Sequence, residues 1–169
     1  RAYYLNRGYL EFNVESTQVA ISPDKQDITI TVNVKEGQPY TVTAVQLEGD
    51  YLGKEDEFKS LVTIRPGQPY RAEAVADTTR AFVDRFGSFG YAFAKVDARP
   101  DIDRANGQVT LTLTADPQRR VYVRRINIAG NTRTRDEVIR REFRQFESGW
   151  YDGAKIKLSR DRVDRLGFF

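Results

Sequence analysis

The chain has 169 residues, 40% hydrophobic and 30% charged, with 27 Lys and Arg against 24 Asp and Glu for a net charge of +3. It contains no Cys and no His, which excludes disulfides, thiol nucleophiles, zinc-thiolate sites and the commonest general base at neutral pH. No apolar run approaches the roughly 20 residues of a membrane-spanning helix, and the mild basic excess (pI about 9.2) suits an anionic membrane surface, nucleic acid or an acidic protein face equally well.

In chain order, Arg1 to Arg7 reads as the end of a helix closed by Gly8, since glycine is the usual residue just past a helix terminus. Tyr9 opens a strand. Leu10, Phe12 and Val14 share one face by the period of two, whereas Val19 and Ile21 fall on the opposite parity. This strand therefore carries a bulge or exposes apolar side chains on its second face. A Ser22-Pro23-Asp24-Lys25 turn leads to a return strand in which Ile28, Ile30, Val32 and Val34 alternate with Thr29, Thr31 and Asn33.

Gln38 to Glu48 is the next strand. A short helix with Phe58, Leu61 and Val62 on one face follows and stops at Pro66-Gly67. A longer helix runs from about Arg71 to Arg85 with Val75, Thr78, Phe82, Val83 and Phe86 at helical spacing. Tyr91 to Arg99 is a strand, Asn106-Gly107 a hairpin turn, and Val109, Leu111 and Leu113 mark the strand after it. Another strand is expected over Arg119 to Asn131. Thr134 and Glu137 then have the form of a capping box, with Ile139, Phe143 and Phe146 as the inward stripe of the helix behind it. Asp152 is placed to cap a last helix carrying Ile156, Val163 and Leu166.

One phrase organises these elements. Tyr40, Val42, Val45, Leu47, Gly49 and Asp50 return as Val121, Val123, Ile126, Ile128, Gly130 and Asn131, an offset of 81 residues that Tyr70 and Tyr151 also obey. A period preserved through strand, helix and turn signals marks a tandem array. The divisions are 1–36, 37–117 and 118–169: the tail of one unit, one complete unit, and the first part of a third lacking its final hairpin. The sequence opens inside a helix and stops where a strand should begin, so both ends are expected to continue in a longer protein. The last unit is expected to be frayed or completed by another chain, because its strand and helix pair would have an uncovered apolar face.

Catalytic and metal signals are absent. Asp101-Ile-Asp103-Arg-Ala-Asn106-Gly107 looks like the start of a calcium loop, but its spacing is off by one and Thr112 stands where the closing glutamate belongs; a plain hairpin turn accounts for it. Glu55, Asp56 and Glu57 are explained by the positive end of a helix dipole. No catalytic residue, cofactor or metal is expected.

The Gly-Asp and Gly-Asn strand ends, the helix exits at Arg7-Gly8-Tyr9, Gly90-Tyr91 and Leu166-Gly167, and the hairpins running into Glu36-Gly37 and Asp116-Pro117 resemble POTRA domains. Arg1 to Tyr9, Ser16 to Val19, Pro23 to Lys25 and Arg140 to Gln145 are similar to the POTRA units of the factors that insert β-barrel proteins into the bacterial outer membrane. The resemblance implies an α+β fold of strand-helix-helix-strand-strand units, each a three-stranded mixed sheet packed against two helices. It also implies the end of a third unit, all of a fourth and the start of a fifth. A periplasmic address, tethered to the outer membrane by a C-terminal membrane β-barrel of the same chain, follows from it as well.

Two features are left to carry function. An open sheet edge offers unpaired N–H and C=O groups to an unfolded outer-membrane protein, and Val19 and Ile21 become a partner site if their parity exposes them. The resemblance makes that third unit the seat of a β-propeller lipoprotein. The second feature is the cluster Arg119, Arg120, Arg124, Arg125, Arg133, Arg135, Arg140, Arg141 and Arg144 against Asp136, Glu137 and Glu142. It is a solvated face, or a dock for lipid headgroups or a helical-repeat accessory lipoprotein, with Glu147 as the ion-pair candidate. No aromatic-interleaved basic strand of the RNA-binding type is present, so nucleic acid is not expected. Three alternatives stay open: a pure spacer, a unit of a related export, secretion or division protein, and, remotely, a basic nucleic-acid module.

Overall fold

In the computed structural model residues 2–130 and 134–167 are described; the expectations that fall on Arg1, Asn131, Arg133, Phe168 and Phe169 lie outside them. The elements are α1 (Ala2–Leu5), β1 (Asn13–Ile21), β2 (Ile28–Lys35), β3 (Thr41–Gly49), α2 (Glu55–Lys59), α3 (Ala72–Ser88), β4 (Lys95–Asp103), β5 (Gln108–Asp116), β6 (Tyr122–Val123), α4 (Asp136–Arg140), β7 (Gly149–Trp150) and α5 (Gly153–Asp164). The middle repeat has the order β3-α2-α3-β4-β5, and its sheet is ordered β3-β5-β4 with the last strand central. Thr41 N–H donates to the Gly107 carbonyl (2.9 Å) and Asp50 N–H to the Ala115 carbonyl (3.1 Å), so β3 runs parallel to β5. β4 reaches β5 through the turn at 104–107 and is antiparallel to it. The fold is the expected α+β one, with a mixed sheet.

The described residues form two compact units. The first contains the residues up to Gln46, with Val62–Thr78 and Ala98–Thr112. Tyr40, Val42, Val109 and Leu111 are buried there with Tyr70 and Val75. Phe12, also buried, stacks on Tyr4 at 4.2 Å between ring centres. Arg71 precedes α3 and cannot accept hydrogen bonds from its orphan amides; Asn6 Oδ1 instead accepts from Glu73 N–H at 2.8 Å. The outer side of β3 is closed at its start by its own chain. Val42 N–H donates to the Gln68 carbonyl (2.9 Å) and Gly67 N–H to the Val42 carbonyl (2.7 Å), around a bridge between Thr41 and Pro69.

The second unit contains Leu47–Leu61, Thr79–Asp97 and the residues from Leu113 onward. Tyr51, Phe58, Phe82 and Phe86 are each buried to 1% exposure or less in one aromatic cluster, with ring centres from 4.5 Å (Phe58–Phe86) to 5.9 Å (Tyr51–Phe86) apart. Burying each such ring stabilises by about 1.5–3 kcal/mol. The Tyr51 hydroxyl is satisfied by the Leu113 carbonyl at 2.6 Å, and burial pushes its phenol pKa up to about 12. Gly49 has φ +88°, and a Cβ there would lie 2.2 Å from the Ala115 carbonyl oxygen; β3 leaves the sheet by a turn that only glycine fits.

The 81-residue period extends to buried polar atoms. Thr78 Oγ1 accepts from Thr63 N–H (3.4 Å), and Ser159 Oγ from Arg144 N–H (2.6 Å); both hydroxyl residues are buried. The left-handed positions repeat too: Gly37 and Gln118, Gly49 and Gly130, Gly67 and Ser148 all have positive φ.

Several predicted elements differ. β1 starts at Asn13 and β4 at Lys95, since the residues after each helix-closing glycine first make turns, with Phe12 N–H donating to Tyr9 and Ala94 N–H to Tyr91. The strand expected over Arg119 to Asn131 is reduced to β6, paired with β7 through Tyr122–Trp150 and Val123–Gly149. A strand extends only as far as a ladder partner does, and no counterpart of β5 pairs with it among the described residues. The N-cap of α4 is Arg135, without a side-chain cap, rather than the Thr134 of the expected capping box. Asp152 does cap α5, accepting from the N–H groups of Ala154 (3.0 Å) and Lys155 (3.3 Å). Phe146, expected inside, is 67% exposed, because α4 ends at Arg140 and its helical phase stops there.

Candidate functional site

Val19 and Ile21 lie on the β1–β2 ribbon. Val14 pairs with Val34 and Ser16 with Asn33, so Glu15 is an extra residue in a bulge. Past it, Thr17, Val19 and Ile21 face Val32, Ile30 and Ile28, all on one apolar side. The offset maps Ile28, Ile30, Val32 and Val34 onto Val109, Leu111, Leu113 and Ala115, which are buried. It maps Val19 and Ile21 onto Pro100 and Ile102, on the half-buried side of β4. The parity change is thus a bulge. Of the two alternatives, the bulge holds, and Val19 and Ile21 lie on the face equivalent to a core, both more than 60% exposed here.

The structure brings Arg140, Arg141, Arg144 and Glu147 together. α4 ends at Arg140, whose guanidinium donates to Asp136 one helical turn back (Nε to Oδ1, 2.7 Å), to Glu147 Oε1 (2.8 Å) and to the Ile126 carbonyl (3.2 Å). The same Glu147 oxygen accepts the Ile126 N–H at 2.9 Å. That backbone donor, with Arg140 behind it, holds the Glu147 carboxyl below the usual carboxylate range, and Arg140 does the same to Asp136. Glu147 therefore uses Oε1 to pin the 126 backbone to the 141–147 loop and keeps about two-fifths of its side chain in solvent.

Arg144 turns back onto the carbonyls of Arg141 (3.3 Å) and Phe143 (3.2 Å), where a cation complements the helix C-terminus. Arg141 is two-thirds exposed, with Glu142 at 3.8 Å. These groups rim a pocket of about 490 Å³ whose apolar wall is Ile126, Phe143 and Phe146. Under the loop, the buried Gln145 side chain donates to the Trp150 carbonyl (3.1 Å) and accepts from Asp152 N–H (2.8 Å), which fixes its path.

The middle unit shares the backbone but not this chemistry. At the positions of Arg140, Arg141, Arg144, Phe146 and Glu147 it has Lys59, Ser60, Thr63, Arg65 and Pro66. Sequence reasoning missed Asp136, the Ile126 backbone and Phe146. The i,i+4 spacing of Asp136 and Arg140 signalled the first, and Phe146 standing where the repeat has Arg65 signalled an exposed side chain.

The third surface is the outer edge of β4. It is an edge strand, and among the described residues no loop hydrogen-bonds to its outer side.

Repeated strands and helices in one order, with the last strand of the complete repeat central in a three-stranded sheet, define a tandem array of small α+β domains. The chain belongs to the POTRA family (surface antigen variable number repeat), which matches residues 1–37, 40–118 and 121–169. It is 36% identical over 168 residues to the outer membrane protein assembly factor BamA of Neisseria meningitidis serogroup B, covering 99% of this chain and 21% of that protein. A crystal structure of Haemophilus influenzae BamA POTRA3-5 matches with TM-score 0.88 and 34% identity, over 100% of this chain and 67% of that one. Haemophilus ducreyi BamA lacking POTRA domains 1-3 matches with TM-score 0.69 and 30% identity, over 77% and 25%. The chain spans about a fifth to a quarter of the length of the curated relatives it matches.

Proposed function

We propose that this chain is the periplasmic POTRA segment of an outer-membrane β-barrel assembly factor, with units at 1–36, 37–117 and 118–169, tethered to the membrane through a C-terminal β-barrel of the same protein. It acts by binding rather than by bond-making. Unfolded outer-membrane proteins add as strands to an open sheet edge, where each backbone hydrogen bond contributes about 0.5–1.5 kcal/mol net, a grip weak enough to release. Val19 and Ile21 belong to this reading through their main chain. An accessory lipoprotein docks on the Arg140–Glu147 loop.

The observation that supports the dock is the departure of this loop from the repeat. Two units of one backbone differ where a pocket with an apolar wall and a charged rim replaces Lys59, Ser60 and Arg65, and exposed aromatic and Arg side chains are the residues that anchor interfaces. Arg141→Glu combined with Phe146→Ala is expected to abolish co-purification of the helical-repeat lipoprotein while leaving the unfolding midpoint unchanged. Retained co-purification would remove the dock from this loop.

A spacer role is favoured by one separate observation. Tyr40 N–H donates to the Gly8 carbonyl (2.8 Å) and Val121 N–H to the Gly90 carbonyl (2.7 Å), so each unit's first strand is tied to the glycine that closes the preceding helix. If spacing is the whole function, edge and loop variants are silent and changes at Gly8 or Gly90 impair assembly.

A further inference from the structure

We propose that Pro100 closes the outer edge of β4 to strand addition, so that an incoming extended segment is received on β1 and refused on β4. The proposal rests on the edge-binding reading above and narrows it to one strand and one determinant residue.

β4 is assigned as strand through Lys95–Asp103 without a break, with β5 on one side only. A proline inside such a strand lacks the N–H that a ladder needs, and it is tolerated only where its nitrogen faces away from the partner. The nitrogen of Pro100 therefore faces the open side. Because in-plane groups alternate along a strand, the outward donors of β4 belong to Val96, Ala98 and Ile102, with a gap between the last two. An incoming strand in register would bring a carbonyl to the place where Pro100 has a ring carbon and no hydrogen.

The repeat supplies the comparison. Val19 stands 81 residues before Pro100, paired with Ile30 between the Thr17–Val32 and Ile21–Ile28 pairs. From Ser16 to Ile21, β1 contains no proline, so its outward donors are unbroken past the bulge at Glu15. Side chains differ in the same sense. The exposed positions of β4 are Lys95, Asp97, Arg99, Asp101 and Asp103, all charged, a pattern that discourages edge pairing. Ser16, Gln18 and Ala20, which the offset places opposite Asp97, Arg99 and Asp101, are neutral. Val19 and Ile21 lie on the face equivalent to a core and Ser16, Gln18 and Ala20 on the other, so the added strand that fits alternates apolar and polar residues in the same way.

The test titrates the chain with a synthetic peptide of about ten residues, the span of a membrane β-strand, alternating Val and Thr with a Lys at each end. Exchange of individual backbone amides is followed by NMR. In the wild type the peptide is expected to slow exchange on the outer edge of β1, the Val19 amide included, and to leave those of Val96, Ala98 and Ile102 unchanged. Pro100→Val is expected to create a second site, with new protection from 96 to 102. Val19→Pro is expected to weaken binding tenfold or more, with its peptide-free exchange pattern showing whether the ribbon has stayed paired. Equal protection of β1 and β4 in the wild type, or no protection of β4 in Pro100→Val at peptide levels that saturate β1, overturns the role of Pro100 and leaves edge binding standing. Absence of edge protection on both strands overturns the strand-addition reading together with this one.

Discussion

The Val121 N–H donates to the Gly90 carbonyl at 2.7 Å while the Val121 carbonyl accepts from Tyr151 N–H at 2.7 Å. Tyr40 is held the same way between Gly8 (2.8 Å) and Tyr70 (3.1 Å). One backbone link thus ties a helix-closing glycine, the residue just before the next strand and the loop before the next long helix. Its side-chain surroundings differ: Arg120 donates to the Phe89 carbonyl (3.0 Å) and stacks on Trp150 at 4.4 Å.

Gly90→Ala tests that link. The residue has φ +101°, and a Cβ would meet Arg120 Nε at 2.8 Å and Cγ at 2.9 Å, so Arg120 must leave its stack. A loss of about 1–2 kcal/mol is expected from the left-handed backbone alone, read by urea unfolding. The fluorescence of Trp150, the single tryptophan, should change in the folded baseline. An unaltered baseline would mean that the stack does not depend on the glycine.

Ser148 has φ +59° where the middle unit has Gly67 at +89°, and its N–H makes the same bond, to the Val123 carbonyl. Ser148→Gly keeps that bond and relieves the backbone. It is expected to raise stability by up to about 1 kcal/mol, since the relief of the left-handed conformation is partly offset by the entropy of glycine. Gly49→Ala should do the opposite, and more strongly. Denaturant midpoints of the two variants check both signs.

Ser159→Ala removes a buried hydroxyl that accepts from Arg144 N–H (2.6 Å) and Gln145 N–H (3.2 Å) and donates to the Lys155 carbonyl (2.7 Å). Leaving buried amides unsatisfied costs about 1–3 kcal/mol, so unfolding should shift accordingly. Ser159→Thr, which restores the chemistry of Thr78 in the middle unit, should recover part of the loss.

The Arg140 cluster should be acid-sensitive. Glu147 is lowered first by the Ile126 N–H and then by Arg140, and Asp136 by Arg140. A carboxyl whose folded pKa lies below its unfolded value contributes stability above the unfolded pKa, near 4, and that contribution disappears as pH falls through the folded pKa. Carboxyl chemical shifts followed from pH 7 downward should show both groups titrating below ordinary carboxylates. In Arg140→Gln, Asp136 should move back to the usual range and Glu147 only partly, because the Ile126 amide stays in place.

Much of this was legible in the residues themselves. The 81-residue period, the strand and helix order and the cap at Asp152 follow from local pattern, because alternation, helical spacing and turn chemistry act over a few neighbours. The chain alone could not say which way the parity of Val19 and Ile21 would resolve, since a bulge exists only relative to a partner strand, here β2 with its Val14–Val34 and Ser16–Asn33 pairs. Nor could it say that Glu147 would turn onto Ile126, 21 residues away, or that Asn6 would cap α3 in place of Arg71. Those are long-range choices, made when packing brings distant backbone donors within reach of a side chain, and only the tertiary structure decides them.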